Sequence, residues 1–384
     1  MIDLEIKEKK DCMGCYACFN ICPKNCISME TDDEGFWYPK VDYDECIECN
    51  KCVKVCPILY KNEVENNLLA YACYNEDEEV RLKSSSGGIF TLVAEEILKN
   101  EGLVFGAGFD KEFNIVHTYI ETKEEVNRFR GSKYVQSSID DNFNKVKYFL
   151  NEGKEVLFTG TPCQIGGLKS YLGKEYENLF TMDNICHGVP SPKVWKEYIE
   201  FRENRAKSST RQISFRDKKE GWKKYSLSFS FQDSLEYRST HREDAFMKAF
   251  LRDICLRPSC YDCHFKTLHR ESDLTMADFW GINEIYPDFD DDKGTSLIFV
   301  NSQKGKVMFD IIKKHMIYKV ADIHQAVSYN SAAIQSVKYN PKREDFLKEL
   351  GSLDFDKLVK KYCNTSIPIR IKRKIISILK KLGD

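Results

Sequence analysis

Cys12-Met-Gly-Cys15-Tyr-Ala-Cys18-Phe-Asn-Ile-Cys22-Pro23 and Cys46-Ile-Glu-Cys49-Asn-Lys-Cys52-Val-Lys-Val-Cys56-Pro57 decide how the chain begins. Both runs fit C-x2-C-x2-C-x3-C-P. Two-residue gaps let three thiolates wrap one face of an iron–sulfur cubane, and the fourth cysteine, held before proline, points to the other cluster. The expected ligands are therefore Cys12, Cys15, Cys18 and Cys56 for one [4Fe–4S] cluster, and Cys46, Cys49, Cys52 and Cys22 for its partner. Zinc ribbons use two C-x2-C pairs rather than four cysteines per run, so the spacing disfavours zinc. Cys26 is surplus to both sets and reads as a buried free thiol.

Nine of the 16 cysteines fall in residues 1–60, a stretch with few long apolar segments. Such a stretch needs metal as its staple. It carries twelve acidic and seven basic side chains. That balance reads either as a solvated surface or as a docking face for a basic redox partner. Sixteen cysteines in a chain of 384 residues with no secretory signal point to metal ligation rather than a disulfide scaffold. The opening, Met1 to Cys12, is charged, so export is not expected and a cytoplasmic location is. No apolar run approaches the roughly 18 residues of a membrane span, and a net charge of −2 gives no sign of nucleic-acid binding.

The expected fold class is α+β: a dicluster ferredoxin-type module over 1–62, an α/β body over 68–340 and a helical basic tail over 341–384. Glu63–Asn67 is a polar joint. Beyond it, Leu69–Tyr74, Leu103–Phe109, Val156–Thr159 and Leu179–Ile185 read as strands, and Gly88–Asn100 as a helix with apolar residues at helical spacing. Ser191–Asn204 reads as a helix capped by Ser191 with Pro192 at its first position. Gln212–Arg216 and Tyr225–Phe231 alternate apolar and polar residues, with a turn at Gln232-Asp233-Ser234, and suggest a small antiparallel insertion. Arg242–Asp253 returns to helix.

Several segments of the body carry chemistry. Ser84-Ser85-Ser86-Gly87-Gly88 opens a helix, where small residues let backbone N–H groups approach an anion. A serine-rich cap of an ordinary helix has the same look. Arg128-Phe-Arg130-Gly131-Ser132-Lys133-Tyr134 offers cations, a hydroxyl and an aromatic beside glycine, as a second phosphate contact or an exposed basic loop. Thr161-Pro162-Cys163 follows a strand, placing a thiol where open α/β sheets bind ligands. Cys186-His187-Gly188 ends another strand, and Arg257-Pro258-Ser259-Cys260-Tyr261-Asp262-Cys263 adds a C-x2-C pair. Together Cys163, Cys186, Cys260 and Cys263 supply enough thiolates for a third [4Fe–4S] cluster. Zinc at Cys260 and Cys263 with His264 or His269 stays open. Cys260 to His264 also fits a haem c attachment, which needs an exported chain.

These segments resemble the coenzyme F420 hydrogenase/dehydrogenase beta-subunit family. The resemblance rests on SSSGGIF (84–90), GSKYVQS (131–137), TGTPCQIGGL (159–168), ICHGVP (185–190), LRPSCYDCHF (256–265), SDLTMADFWG (272–281) and DDKGTSLIFVN (291–301). It implies a flavoprotein that binds FAD beside an iron–sulfur cluster, with Cys163, Cys186, Cys260 and Cys263 as cluster ligands. Ser86, Gly87, Gly88, Ser132, Lys133, Tyr134 and Thr161 fall in the segments expected to hold FAD. Clusters pass single electrons and a flavin handles one or two. The expected activity is thus an iron–sulfur flavoprotein oxidoreductase, fed by ferredoxin or a similar donor protein. The family's relatives among surface-polysaccharide genes suggest a polysaccharide precursor as substrate. An F420-dependent oxidoreductase and a non-enzymatic electron-relay subunit are the rival readings. His187 is the candidate proton donor, against a hydrogen-bonded structural histidine.

The tail from Ile367 to Leu382 is basic and apolar. Ile371, Ile375, Ile378, Leu379 and Leu382 share a helical face, which suits either peripheral membrane contact over 367–382 or docking on the body.

Overall fold

The computed structural model describes residues 1–61 and 64–364. The expected membrane-contacting segment 367–382 lies outside the described residues. Among those described, no helix is long and apolar enough to cross a membrane.

Thirteen strands are described. The N-terminal module contributes β1 (Ile27–Thr31) and β2 (Trp37–Val41), an antiparallel pair. The body contributes β3 (Leu69–Asn75), β4 (Leu103–Phe109), β5 (Ile115–Ile120), β6 (Val156–Gly160) and β7 (Leu179–Asn184). Three further strands, β8 (Thr210–Asp217), β9 (Ser226–Phe231) and β10 (Glu236–Thr240), form the antiparallel insertion. The last are β11 (Leu274–Asp278), β12 (Ser296–Val300) and β13 (Met316–Ala321).

Eight strands make one mixed sheet in the order β13-β3-β12-β11-β7-β6-β4-β5. Its centre, β11-β7-β6-β4, is parallel, and both flanks are antiparallel. The central strands β6, β7 and β11 open on apolar residues buried on both faces, with Val156, Leu157 and Phe158 each fully buried, and turn polar at their C-terminal ends. The helix Pro162–Leu172 makes the crossover between the parallel neighbours β6 and β7, and Asn142–Asn151 lies on the path from β4 to its parallel neighbour β6. Ile89–Lys99 packs on the sheet beside them. The loops after β6 and β7, which carry Cys163 and Cys186, consequently emerge at the same sheet edge.

The iron–sulfur module is not a tethered bead. Ile2, Tyr16, Ala17, Cys18 and Val55 share one apolar cluster with Phe105, Phe143, Phe158, Ile165 and Leu168 of the body. Arg343, 3% exposed, pairs both nitrogens with Glu34 at 2.7 and 2.6 Å. Ser191, the cap of the Pro192–Ala206 helix, accepts from the amides of Lys193 and Val194 and donates to the Glu34 carbonyl. Metal is thus not the module's only staple; the body supplies apolar surface that the first sixty residues lack.

The start of the expected tail is likewise part of the core. Helices Arg343–Lys348 and Phe355–Cys363 bury Phe346, Phe355 and Leu358 against Trp195, Tyr198 and Phe246. Cys255 and Cys363 are buried in this same cluster, and Cys73 is fully buried on β3.

Candidate functional site

Three cavities carry the cysteines, and each gathers one expected ligand set. The inner cavity of the module, about 380 Å³, is lined by Cys12, Cys15, Cys18 and Cys56. The outer one, about 310 Å³, is lined by Cys22, Cys46, Cys49 and Cys52, with Cys26 as a fifth thiol. The third, about 460 Å³, lies in the body and is lined by Cys163, Cys186, Cys260 and Cys263. These residues span a hundred positions, and the sheet brings them together: Cys163 sits in the first turn after β6, and Cys186 two residues beyond β7. Cys260 lies within the 3-10 turn Pro258–Asp262, and Cys263 caps its end.

Among the described residues, no group of three or more His, Cys, Asp or Glu is gathered as one metal ion requires. Four thiols ringing a cavity suit a cubane, whose irons stand at separate corners. His264 and His269, the histidines of the zinc alternative, do not line the third cavity. Burial and the neighbouring thiolates raise the pKa of Cys163, and burial pushes Cys15 up to about 12. Such thiols stay protonated until a metal takes the proton's place.

Two backbone features support the third cavity. Gly188 has φ +155°, and a Cβ there would meet Leu256 at 2.9 Å and approach the Cys260 thiol. The Val189 amide donates to Cys260 Sγ at 3.4 Å, and Thr161 Oγ1 lies 3.1 Å from Cys163 Sγ. Thr161 also caps the Pro162–Leu172 helix in a capping box with Gln164. Its hydroxyl therefore serves the helix and the thiol.

The cavity wall is cationic. Arg257 and Arg270 are 0% and 3% exposed, and both line it, as does Lys266. Lys266 donates to the carbonyls of Cys186 and Ala332. Arg270 donates one bond to the Ala333 carbonyl and lies 3.6 Å from Asp183, but its Nε and Nη1 have no hydrogen-bond partner. Arg257 reaches across the module boundary to the carbonyls of Cys12 and Trp37, each at 2.9 Å. Met13 lines both the inner and the third cavity, so those two share a wall. Sequence reasoning missed these side chains. Arg257 stood in a quoted motif, yet nothing local marks it as a bridge to residues 245 positions away.

His187 also lines the third cavity; its Nε2 lies 2.6 Å from Asp253 Oδ1, and its ring meets Phe250 edge-on. The pair is half-buried and could hold a proton beside the thiols.

The expected FAD segments meet only in part. Ser132 donates from its amide (2.7 Å) and hydroxyl (3.0 Å) to Ser85 Oγ, joining the two loops. Gly87 packs against β3 and β12, where a Cβ would stand 2.5 Å from the Cys73 carbonyl, and its amide donates to Ser296 Oγ. The Ser86 hydroxyl donates to the Thr295 carbonyl. Gly88, at φ +84°, opens the Ile89–Lys99 helix. Lys133 Nζ donates to the carbonyls of Arg128, Phe129 and Arg130, and burial lowers its pKa to about 7. Lys218, absent from the sequence reading, ties Arg81, Ser86 and Lys293 together through their carbonyls, and burial lowers it to about 7 also. Tyr134 stacks on Phe250 and accepts from Arg216, which makes it a wall residue. The cations and the open crest at Gly131 fit an anionic group such as a pyrophosphate, while Gly87 and Ser86 act as structural supports.

Three family models match the chain. A 4Fe-4S dicluster domain covers residues 11–58. Coenzyme F420 hydrogenase/dehydrogenase, beta subunit N-term, covers 70–141, and the C terminus of the same subunit covers 153–326. An uncharacterized protein of Methanocaldococcus jannaschii is 22% identical over 46% of this chain and 56% of its own length. The coenzyme F420-dependent sulfite reductase of the same organism is 25% identical over 51% of this chain and 30% of its own length. The chain thus spans about half or less of these curated relatives. In Methanosarcina barkeri, a chain of the F420-reducing [NiFe] hydrogenase complex superposes with a TM-score of 0.46 at 17% identity. That match covers 70% of this chain and 91% of that one.

Proposed function

The chain belongs to the coenzyme F420 hydrogenase/dehydrogenase beta-subunit family, and on that premise we propose that it is an iron–sulfur flavoprotein oxidoreductase. When bound, its clusters would supply one-electron transfer, and FAD would exchange single electrons for pairs. Cys12, Cys15, Cys18 and Cys56 hold the inner cluster, and Cys22, Cys46, Cys49 and Cys52 the outer one. Cys163, Cys186, Cys260 and Cys263 hold a third. Ser85, Ser132 and Lys133 form the anion-facing part of the FAD site, and Tyr134 one of its walls. Thr161 stations Cys163. His187 holds a proton against Asp253 and delivers it next to the third centre.

One observation carries this reading: the wall that the inner and third cavities share at Met13. It supports reading the module and the body as one redox unit, with the exposed Cys49 at its outer end. Protein purified without oxygen should hold about twelve iron atoms per chain, four per cluster, and should release FAD on denaturation. About eight iron atoms would remove the third centre and leave the first two.

Family membership and the similarity to an F420-dependent sulfite reductase favour a second reading, in which F420 is the electron partner. Bleaching of F420 by the reduced protein, or its failure, separates the two. If the isolated chain turns over nothing and copurifies with other subunits, its role is that of a relay.

A further inference from the structure

The outer cavity holds five thiols where a cubane has four corners. We propose that Cys26 is a reserve ligand of the outer cluster, able to take the iron corner assigned to Cys22. This rests on the reading of residues 11–58 as a dicluster domain and not on the third centre.

The geometry is specific. Cys22 ends the helix Ala17–Ile21, and Cys26 stands immediately before β1. Between them Pro23, Lys24 and Asn25 make a tight turn: Asn25 has φ +51°, and its amide donates to the Cys22 carbonyl at 3.2 Å. The turn brings Cys26 back over its neighbour, with the two sulfurs 3.4 Å apart. Cys26 also faces the Cys46 thiol, a ligand on the opposite run. It is 7% exposed, so it does not simply point to water. A thiol that merely fills apolar space would pack among side chains, as Cys73 and Cys255 do in the body. Cys26 packs in the module's apolar cluster too, but like the expected ligands Cys18 and Cys52 it also lines a cysteine-ringed cavity, here beside four other thiols.

The exchange is balanced without a redox partner. Cys26 loses its thiol proton as its sulfur binds iron, and Cys22 takes up a proton as its sulfur leaves. The cluster keeps its four irons and its charge. Such a spare matters here because one expected ligand of the outer cavity, Cys49, is open to solvent.

The test compares the full chain with its Cys22→Ala, Cys26→Ala and doubly substituted forms, all purified without oxygen. Iron content and low-temperature EPR of the reduced protein are the readouts, and the unsubstituted chain's two module signals are the control for the dicluster reading. Cys22→Ala should match the unsubstituted chain in iron and keep both signals, with the outer one shifted. Only the double form should lose about four irons. A folded Cys22→Ala protein that loses the outer cluster, or holds it as a three-iron form, overturns the proposal. A second measurement does not depend on that variant folding. In air, the outer-cluster signal of Cys26→Ala should decay at least twofold faster than that of the unsubstituted chain. An unchanged decay rate overturns the proposal equally. Because each comparison is between variants, the third centre cancels from both.

Discussion

At the residue level, two cations of the site make opposite use of burial. Arg270 is walled in beside the third cavity with no hydrogen bond from Nε or Nη1, and Asp183 lies 3.6 Å from Nη1 as counter-charge. A cation there favours the more negative, reduced form of a bound cluster. Arg270→Gln should therefore shift the midpoint potential of the third centre to a more negative value at unchanged iron content, measured by EPR-monitored redox titration. Lys133 is poised differently. Burial lowers it to about 7, while the three carbonyls it caps favour the ammonium. The charge is present below that pH and lost above it, so affinity for an anionic flavin nucleotide should fall as pH rises through 7. Fluorescence titration of FAD at pH 6 and pH 8 checks the sign, and Lys133→Met should flatten the difference. At this scale the sequence was legible where spacing is local: all eight module cysteines line the cavities to which their spacing groups them. It was mute on Arg257, Lys266 and Arg270, because a buried arginine acquires its meaning from partners that only folding supplies.

At the level of elements, the Pro162–Leu172 helix is the hinge between chemistry and scaffold. Its first turn carries Cys163, and its glycine face seats the module: a Cβ on Gly167 would lie 2.8 Å from the Cys15 Cβ and 3.0 Å from its sulfur. Gly167→Val should destabilise the protein by about 1–3 kcal/mol through overpacking, despite the lower helix propensity of glycine. It should also perturb the EPR line shape of the inner cluster before that of the third. Thermal melts and spectra of the same preparation test both halves. The Pro162–Leu172 helix itself, with Gly166 and Gly167 at its middle, and the central strand β11, ending in Asp278, were not legible. The helices Ile89–Lys99 and Pro192–Ala206 and the strands β4, β6 and β7 were readable, through apolar spacing, a Ser-Pro cap or apolar runs. β1 and β2 were not, being five residues each with Pro39 inside the second. Nor was β13, whose interior from Ile317 to Val320 is exposed and lacks alternation. Edge strands answer to one neighbour, and their sequence is correspondingly loose. The alternation in β8 and β9 announced the antiparallel insertion, while the polar β10 that completes it gave no such sign.

At the level of the molecule, charge is unevenly shared. Residues 1–60 carry an acidic excess within a chain of net charge −2, so the remainder is net positive. Asp42, Asp44, Glu45 and Glu48 are exposed around Cys49, with Ile47 at 57% exposure among them. An acidic rim around an apolar tip would steer a basic redox protein to the outer cavity, if this surface is a docking face rather than a solvated one. Stopped-flow reduction by such a partner should slow as ionic strength rises, and Glu45→Lys with Glu48→Lys should slow it further and weaken the salt dependence. A rate indifferent to salt would reject steering. The assembly of module and body into one core was not legible, because it is written in Phe143, Ile165 and Leu168, residues that look like ordinary interior.

The partition at Met13 has a kinetic corollary. If the inner and third cavities each hold a cluster as proposed, the shared wall at Met13 makes the hop between them short. The pace of turnover would then be left to events at the two extremities: arrival of the donor and departure of the product. Thickening the medium with sucrose should consequently lower the steady-state rate, while replacing Met13 by leucine, similar in bulk, should leave it almost untouched.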